Sequence, residues 1–349
     1  MEHRPAPSDA CPELFQTARD LIALESITGN EEPVAAYLER ALLAMGLAPR
    51  SQEVAPGRRN IVAGPERPSV LFATHMDTVP PYMPLGEDER YLHGRGACDT
   101  KGIIACMLEA ARRLQGRGVH DFGCLFVVGE ETDNAGAIVA GRLLRSRWVI
   151  LGEPTENRVA IGHKGLLRLE VTVTGTACHS AYPDEGDSAI HRLLRGLTRV
   201  LETDFGTSSV LGPATVNVGE ISGGVAANVL APLARASIVV RVVGEVDDAY
   251  LAIRRAFDDP VTGEPDHRVE LHESRRMAPP RLERVEGFPE TIVSYGTDAP
   301  FLQDVGRVVL FGPGTIRDAH TAHERIEKSA MLEAASAYVD LALQLQARA

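Results

Sequence analysis

The 349-residue chain is poor in cysteine, in positive charge and in long apolar runs. Its five cysteines (Cys11, Cys98, Cys106, Cys124 and Cys178) are scattered, odd in number and without CxxC spacing. That argues against a disulfide-built scaffold and suits reduced thiols. Lys and Arg number 36 against 48 Asp and Glu, a net charge of -12. Such a balance argues against nucleic acid and anionic membrane as partners. No stretch approaches the roughly 20 apolar residues of a membrane span. The start, MEHRPAPSDACPE, has no basic segment followed by an apolar core and no cleavage signature, so a cytoplasmic location is expected. Repeats and low-complexity segments are also missing. What remains is an ordinary globular composition, 44% hydrophobic, in a chain long enough to favour two domains over one core.

The most informative stretch runs from Val70 to Gly102. It opens with the apolar run Val70-Leu71-Phe72-Ala73, which predicts a buried strand. His75 and Asp77 follow two apart, so in extended chain their side chains leave the same face. Asp99 then stands at a loop-to-helix junction, in GRGACDTKG. Imidazole and carboxylate at a rigid strand end suit zinc; the plainer alternatives are a strand cap for His75 and a helix cap for Asp99. Further acids and a histidine recur in similar places. Glu130-Glu131 ends the strand Gly123–Gly129, Glu153 ends Trp148–Gly152, and His320 lies in GPGTIRDAHTAHERI. The alternative for Glu130-Glu131 is a solvated loop pair. Cys98 and Cys178 adjoin candidate residues, but His, Asp and Glu already account for the chemistry.

Along the chain, apolar spacing predicts helices over 12–24 and 31–46, with Ser, Thr and Asn of SITGNEEP as capping candidates. Strands are expected at 60–63, 70–74, 122–128, 148–151 and 159–162, with helices at 101–114 and 135–144 between them. This alternation predicts an α/β sandwich with the site at one edge of its sheet. From about Lys164 the pattern changes to apolar-polar alternation, the mark of a sheet with one exposed face. The order β-α-β-β-α-β there is ferredoxin-like. The expected domains are residues 1–163 with 275–349, and an inserted 164–274. After Pro279-Pro280 we expect a helix over 289–295, a GTDAPFL loop, a strand at 308–311 and a last helix from Lys328.

In this order, HMDTVP, GRGACDTKG, GEET, GEPT and the late histidine resemble the M20 family of zinc-dependent amidohydrolases, from about Leu14 to about Leu341. The resemblance implies two zinc ions, with cobalt as the alternative. His75 and Glu153 would hold one, Glu131 and His320 the other, and Asp99 would bridge them. It implies Asp77 as a partner fixing the His75 ring, Glu130 as general base, and a cis Asp99–Thr100 peptide. The inserted domain corresponds to a lid or dimerisation domain. Its His179 would reach the partner subunit's site in a homodimer to donate to the oxyanion, the alternative being a surface histidine. Asn228 and Arg241 match positions around the substrate, Arg241 as a fork for an α-carboxylate; an arginine in a strand is otherwise a solvated face residue. His323 stands where the family commonly has an acidic residue, which leaves His320 and His323 both open as the ligand. The motif around Asp99 also has Cys98-Asp99-Thr100 where Met is more frequent.

Within the family the phrases look closest to acetylornithine deacetylase and lysine-pathway deacylases. The expected reaction is therefore removal of a small acyl group from an α-amino nitrogen, first N-acetylornithine in arginine biosynthesis. The alternatives are release of lysine or ornithine from an amino-group carrier protein, desuccinylation of diaminopimelate, and dipeptide hydrolysis. A mononuclear metallopeptidase and a non-catalytic binding protein on the same fold complete the range.

Overall fold

A computed structural model describes residues 11–259 and 262–348. Residues 1–10, part of the stretch read for targeting signals, lie outside the described residues. The chain divides into two compact units. One comprises Met1–Ile161, Arg281–Val293 and Thr297–Ala349, the other Gly162–Pro280 with Ser294–Gly296.

The first unit is built on an eight-stranded sheet. Its order is Arg50–Ala55, Arg58–Ala63, Phe122–Val127, Val70–His75, Trp148–Leu151, Arg307–Leu310, Val159–His163 and Glu290–Val293. The four strands at its centre are parallel: Val70–His75 pairs with Phe122–Val127 and Trp148–Leu151, and the latter with Arg307–Leu310. Val70–His75, Phe122–Val127 and Trp148–Leu151 are buried at every position, as parallel strands covered on both faces must be. Helix Gly102–Gly116, with small and apolar residues nearly all round, is buried along most of its length and packs between Pro12–Ile22 and Lys328–Ala347.

Residues 289–295 are not a helix: Glu290–Val293 is a strand at the sheet edge. The β-branched Thr291-Ile292-Val293 suits a pleated edge, and the Val159 N–H donates to the Pro289 carbonyl at 2.8 Å. Nor do Ser26, Thr28 and Asn30 cap the second helix. Its N-cap is Glu31, without a side-chain capping bond. Buried Glu31 instead pairs with Arg58 at 2.5 Å. The GTDAPFL segment is partly helical, at Ala299–Leu302, and the strand Arg50–Ala55 has no counterpart among the expected elements.

The second unit has a four-stranded antiparallel sheet in the order Thr215–Gly223, Leu233–Val242, Gly165–Thr174 and Val269–Met277. Alternate residues Leu167, Leu169, Val171 and Val173 are buried with helices Ala189–Glu202 and Val246–Ala256, closing a separate core. This is the ferredoxin-like arrangement. Among the described residues of the chain, no helix is long and apolar enough to cross a membrane.

Candidate metal centre

In a parallel sheet all the carboxyl ends face one way, and loops leaving neighbouring strands converge there. His75 ends one central strand, Glu130-Glu131 follows the next and Glu153 follows a third. His320 lies on the chain leaving the fourth, Arg307–Leu310, and Asp99 precedes helix Gly102–Gly116. The fold thus gathers five residues spread in sequence from His75 to His320. They form two groups that share Asp99. His75, Asp99 and Glu153 bring ligand atoms within 4.8 Å of one another, and so do Asp99, Glu131 and His320. Asp99 turns one oxygen to each side: Oδ1 is 3.0 Å from His75 Nε2, and Oδ2 is 3.3 Å from His320 Nε2. His320 Nε2 also lies 2.9 Å from Glu131 Oε1. His320 holds φ +61°, a left-handed backbone uncommon outside glycine. The Asp99–Thr100 peptide is cis. His323 is exposed and belongs to neither group; its backbone N–H donates to Thr321.

The electrostatics follow from crowding acids in a buried site. Burial pushes the Glu130 carboxyl well above its usual range; His75 opposes this, while Asp298, Glu131 and Asp99 add to it. Burial, then Asp99 and Glu130, likewise raise Glu153. Asp99 is held low against its own burial by the hydrogen bonds to His320 and His75. Those to Asp99 and Glu131 push His320 up to about 10.

Asp77 faces His75, as expected, and has a second role. The ring Nδ1 of His75 faces the backbone carbonyl of Asp77 at 2.9 Å, with carboxylate Oδ1 further away at 3.5 Å. The same carboxylate also holds the neighbouring loop. Oδ1 accepts from the N–H groups of Gly129 (3.0 Å) and Glu130 (3.1 Å), and Oδ2 from Glu131 N–H (3.2 Å) and the Thr28 hydroxyl (2.7 Å). Asp77 therefore fixes the loop that presents Glu130 and Glu131 as well as facing His75. The residues missed in the sequence are Thr28, Asn134, whose amide donates to Asp298 at 2.9 Å, Asp298 itself, Arg95 and Glu324. Only a GRG context for Arg95, and the position of Glu324 after the late histidines, pointed to any of them.

Residues 71–344 match the model of peptidase family M20/M25/M40. A peptidase M20 domain-containing protein of Schizosaccharomyces pombe is 37% identical over 338 residues, covering 93% of this chain and 83% of the relative. A probable carboxypeptidase of Aspergillus flavus is 37% identical over 372 residues, covering 93% and 86%. The crystal structure of a dinuclear metal-binding M20 peptidase from Bacillus subtilis shares the fold, with a TM-score of 0.72, 15% identity and coverage of 97% and 99%.

The chain belongs to peptidase family M20/M25/M40. As an M20 protein it is a metal-dependent amide-bond hydrolase, and its α/β body with a smaller inserted unit is the M20 fold. The residues fit a metal. Glu153 Oε1 is buried and has no hydrogen-bond partner among the described residues, a costly state for a carboxylate oxygen that a cation relieves. Imidazoles and carboxylates are ordinary ligands for such ions. Cys98 is buried, and burial pushes its thiol well up, which is no setting for a nucleophile.

In the second unit, His179 is exposed on a loop bridged to Val229. Its Nδ1 accepts the Ala181 N–H at 3.1 Å, so in the neutral ring Nε2 carries the proton and can donate it. The Ser180 N–H donates to the Asn228 carbonyl at 2.9 Å, which brings the Asn228 segment alongside that of His179. Arg241 is half-buried in Leu233–Val242 and forms no ion pair among the described residues. Burial and Arg275 lower its pKa.

Proposed function

We propose that this protein uses two metal ions to hydrolyse the amide joining an acyl or peptidyl group to an amino acid with a free α-carboxylate. The observation that carries it is Asp99, one oxygen toward each of two ligand groups, with Glu130 beside them. In this reading His75, Asp99 and Glu153 hold one ion, and Asp99, Glu131 and His320 the other. Zinc suits the donors and cobalt is the alternative. When bound, the ions supply Lewis acidity toward the scissile carbonyl and toward water.

The chain's own residues do the rest. The Glu130 carboxylate takes a proton from the attacking water and returns it to the leaving nitrogen. A carboxyl whose burial favours the protonated form is suited to holding that proton between the two steps. Asp77 keeps Glu130 and Glu131 in place through their backbone amides. His179, with its proton on Nε2, is the donor for the oxyanion, supplied across a homodimer as in the family it resembles. Arg241 pairs with the α-carboxylate, and Asn228 lines the substrate.

N-acyl-amino-acid deacylases and carboxypeptidases release the same leaving group, an amino acid with its carboxylate free. The relatives named as carboxypeptidases support a wider acyl side than acetyl. Within this class N-acetylornithine, and with it arginine biosynthesis in the cytoplasm, remains the first specific substrate to test. Lysine-pathway deacylation is next. A carrier-protein substrate needs a basic docking surface, which a net charge of -12 disfavours.

The test is amine release from N-acetylornithine, N-acetyl-lysine, N-succinyl-diaminopimelate, and dipeptides with free or amidated C-termini. Metal-dependent turnover confined to substrates with a free carboxylate is expected. Equal turnover of amidated peptides would refute the assignment.

A further inference from the structure

Behind Asp99 lies a second buried charged pair. Glu324 and Arg95 are 1% and 2% exposed. Arg95 Nη1 meets Glu324 Oε2 at 2.6 Å, and Arg95 Nε donates to the Pro81 carbonyl at 3.1 Å. The other oxygen, Glu324 Oε1, accepts two consecutive backbone N–H groups, those of Cys98 (3.2 Å) and Asp99 (3.1 Å). The segment is tied at its backbone too: the Gly94 N–H donates to the Glu324 carbonyl at 3.1 Å, and Arg325–Glu327 pairs with Tyr91–His93.

A buried ion pair is weak evidence for stability, because desolvation cancels much of its attraction. Its effect here is geometric. Glu324 sits four residues after His320 on the same segment, and its carboxylate grips the backbone of the residue shared by both ligand groups. Arg95, on the loop leading to Asp99, fixes which way that carboxylate faces. From this arrangement we infer that Arg95 and Glu324 are positioning residues that hold the His320 segment and Asp99 in register, so that a shared carboxylate reaches both metal positions at once. The inference rests on the two-metal reading above.

The experiment titrates metal-free parent protein and Glu324→Gln with cobalt(II), following stoichiometry and the ligand-field absorption of the bound ion, with thermal unfolding of the metal-free forms alongside. Gln offers an amide N–H where Arg95 needs an acceptor, so the grip is mis-set while the volume is kept. Outer-shell changes typically cost about 10–100-fold in metal affinity. We expect a loss of that size for the second equivalent of cobalt, an altered absorption band, and partial restoration of both in Glu324→Asp. A purely structural role would lower the unfolding temperature and leave affinity and absorption at parental values; that result overturns the inference. Should Glu324→Gln fail to fold, Arg95→Lys, which keeps the charge but not both contacts, gives the same readout with the same two outcomes. A parent that binds no second cobalt overturns the two-metal reading itself.

Discussion

Asp77→Asn isolates the loop-holding role of Asp77, because it preserves shape while changing one oxygen to a donor. The carboxylate accepts four hydrogen bonds, two at each oxygen. With the amide oxygen at Oδ1, the bonds from Gly129 and Glu130 survive as neutral ones. At Oδ2 the new NH2 faces the Glu131 N–H, while the Thr28 hydroxyl can turn to accept. The largest loss is the charge-assisted bond from the Glu131 N–H, about 1.5–3 kcal/mol. If that energy is what holds Glu131 in place, it appears as a roughly 10- to 100-fold fall in kcat/KM. It should be accompanied by weaker metal binding at the group Asp99, Glu131 and His320. The assay pairs amine-release kinetics at saturating zinc with metal-binding titration. Activity within twofold of the parent, at full metal occupancy, would refute the reasoning.

Three further outcomes are expected. Glu130→Gln should lose about 10²–10⁴ in kcat while still binding two metal ions; retained turnover would remove Glu130 as the base. His320→Ala should bind one ion fewer, as read by elemental analysis, whereas His323→Ala should match the parent in both metal content and rate. Buried His163 is depressed from 6.5 to about 4, first by burial and then, against a raising backbone hydrogen bond, by Arg241. The unfolded chain therefore takes up its proton first, and stability falls as pH drops from about 6.5 toward 4. The whole interval amounts to about 3 kcal/mol. Urea unfolding at pH 7 and pH 4 should show a loss smaller by about that amount in His163→Gln, and equal losses would contradict the prediction.

Which features could be read from sequence follows from how each is encoded. His75, Glu130-Glu131 and Glu153 end short apolar runs, and strands at the centre of a parallel sheet must end on one side. Such residues announce their own convergence. The ferredoxin-like unit was equally legible, because its antiparallel strands alternate buried and exposed positions. The supports of the site were hidden. Thr28 lies 49 residues from Asp77 and Arg95 lies 229 from Glu324, and neither pairing leaves a local pattern. Thr28 looked like a helix cap because hydroxyls usually serve that way before a helix. The strand Glu290–Val293 is only four residues long, too short for periodicity to separate it from a helical turn. The choice between His320 and His323 needed the backbone: only His320, at φ +61°, turns its ring back toward Glu131.

The central claim is that two ions bound by these five residues drive amide hydrolysis. The most direct test titrates metal-free protein with zinc while following amine release from N-acetylornithine and from dipeptides with a free C-terminus. The account predicts two equivalents bound, activity that rises with occupancy, and its loss on adding chelator. Undiminished activity in chelator-treated, metal-free protein would contradict it.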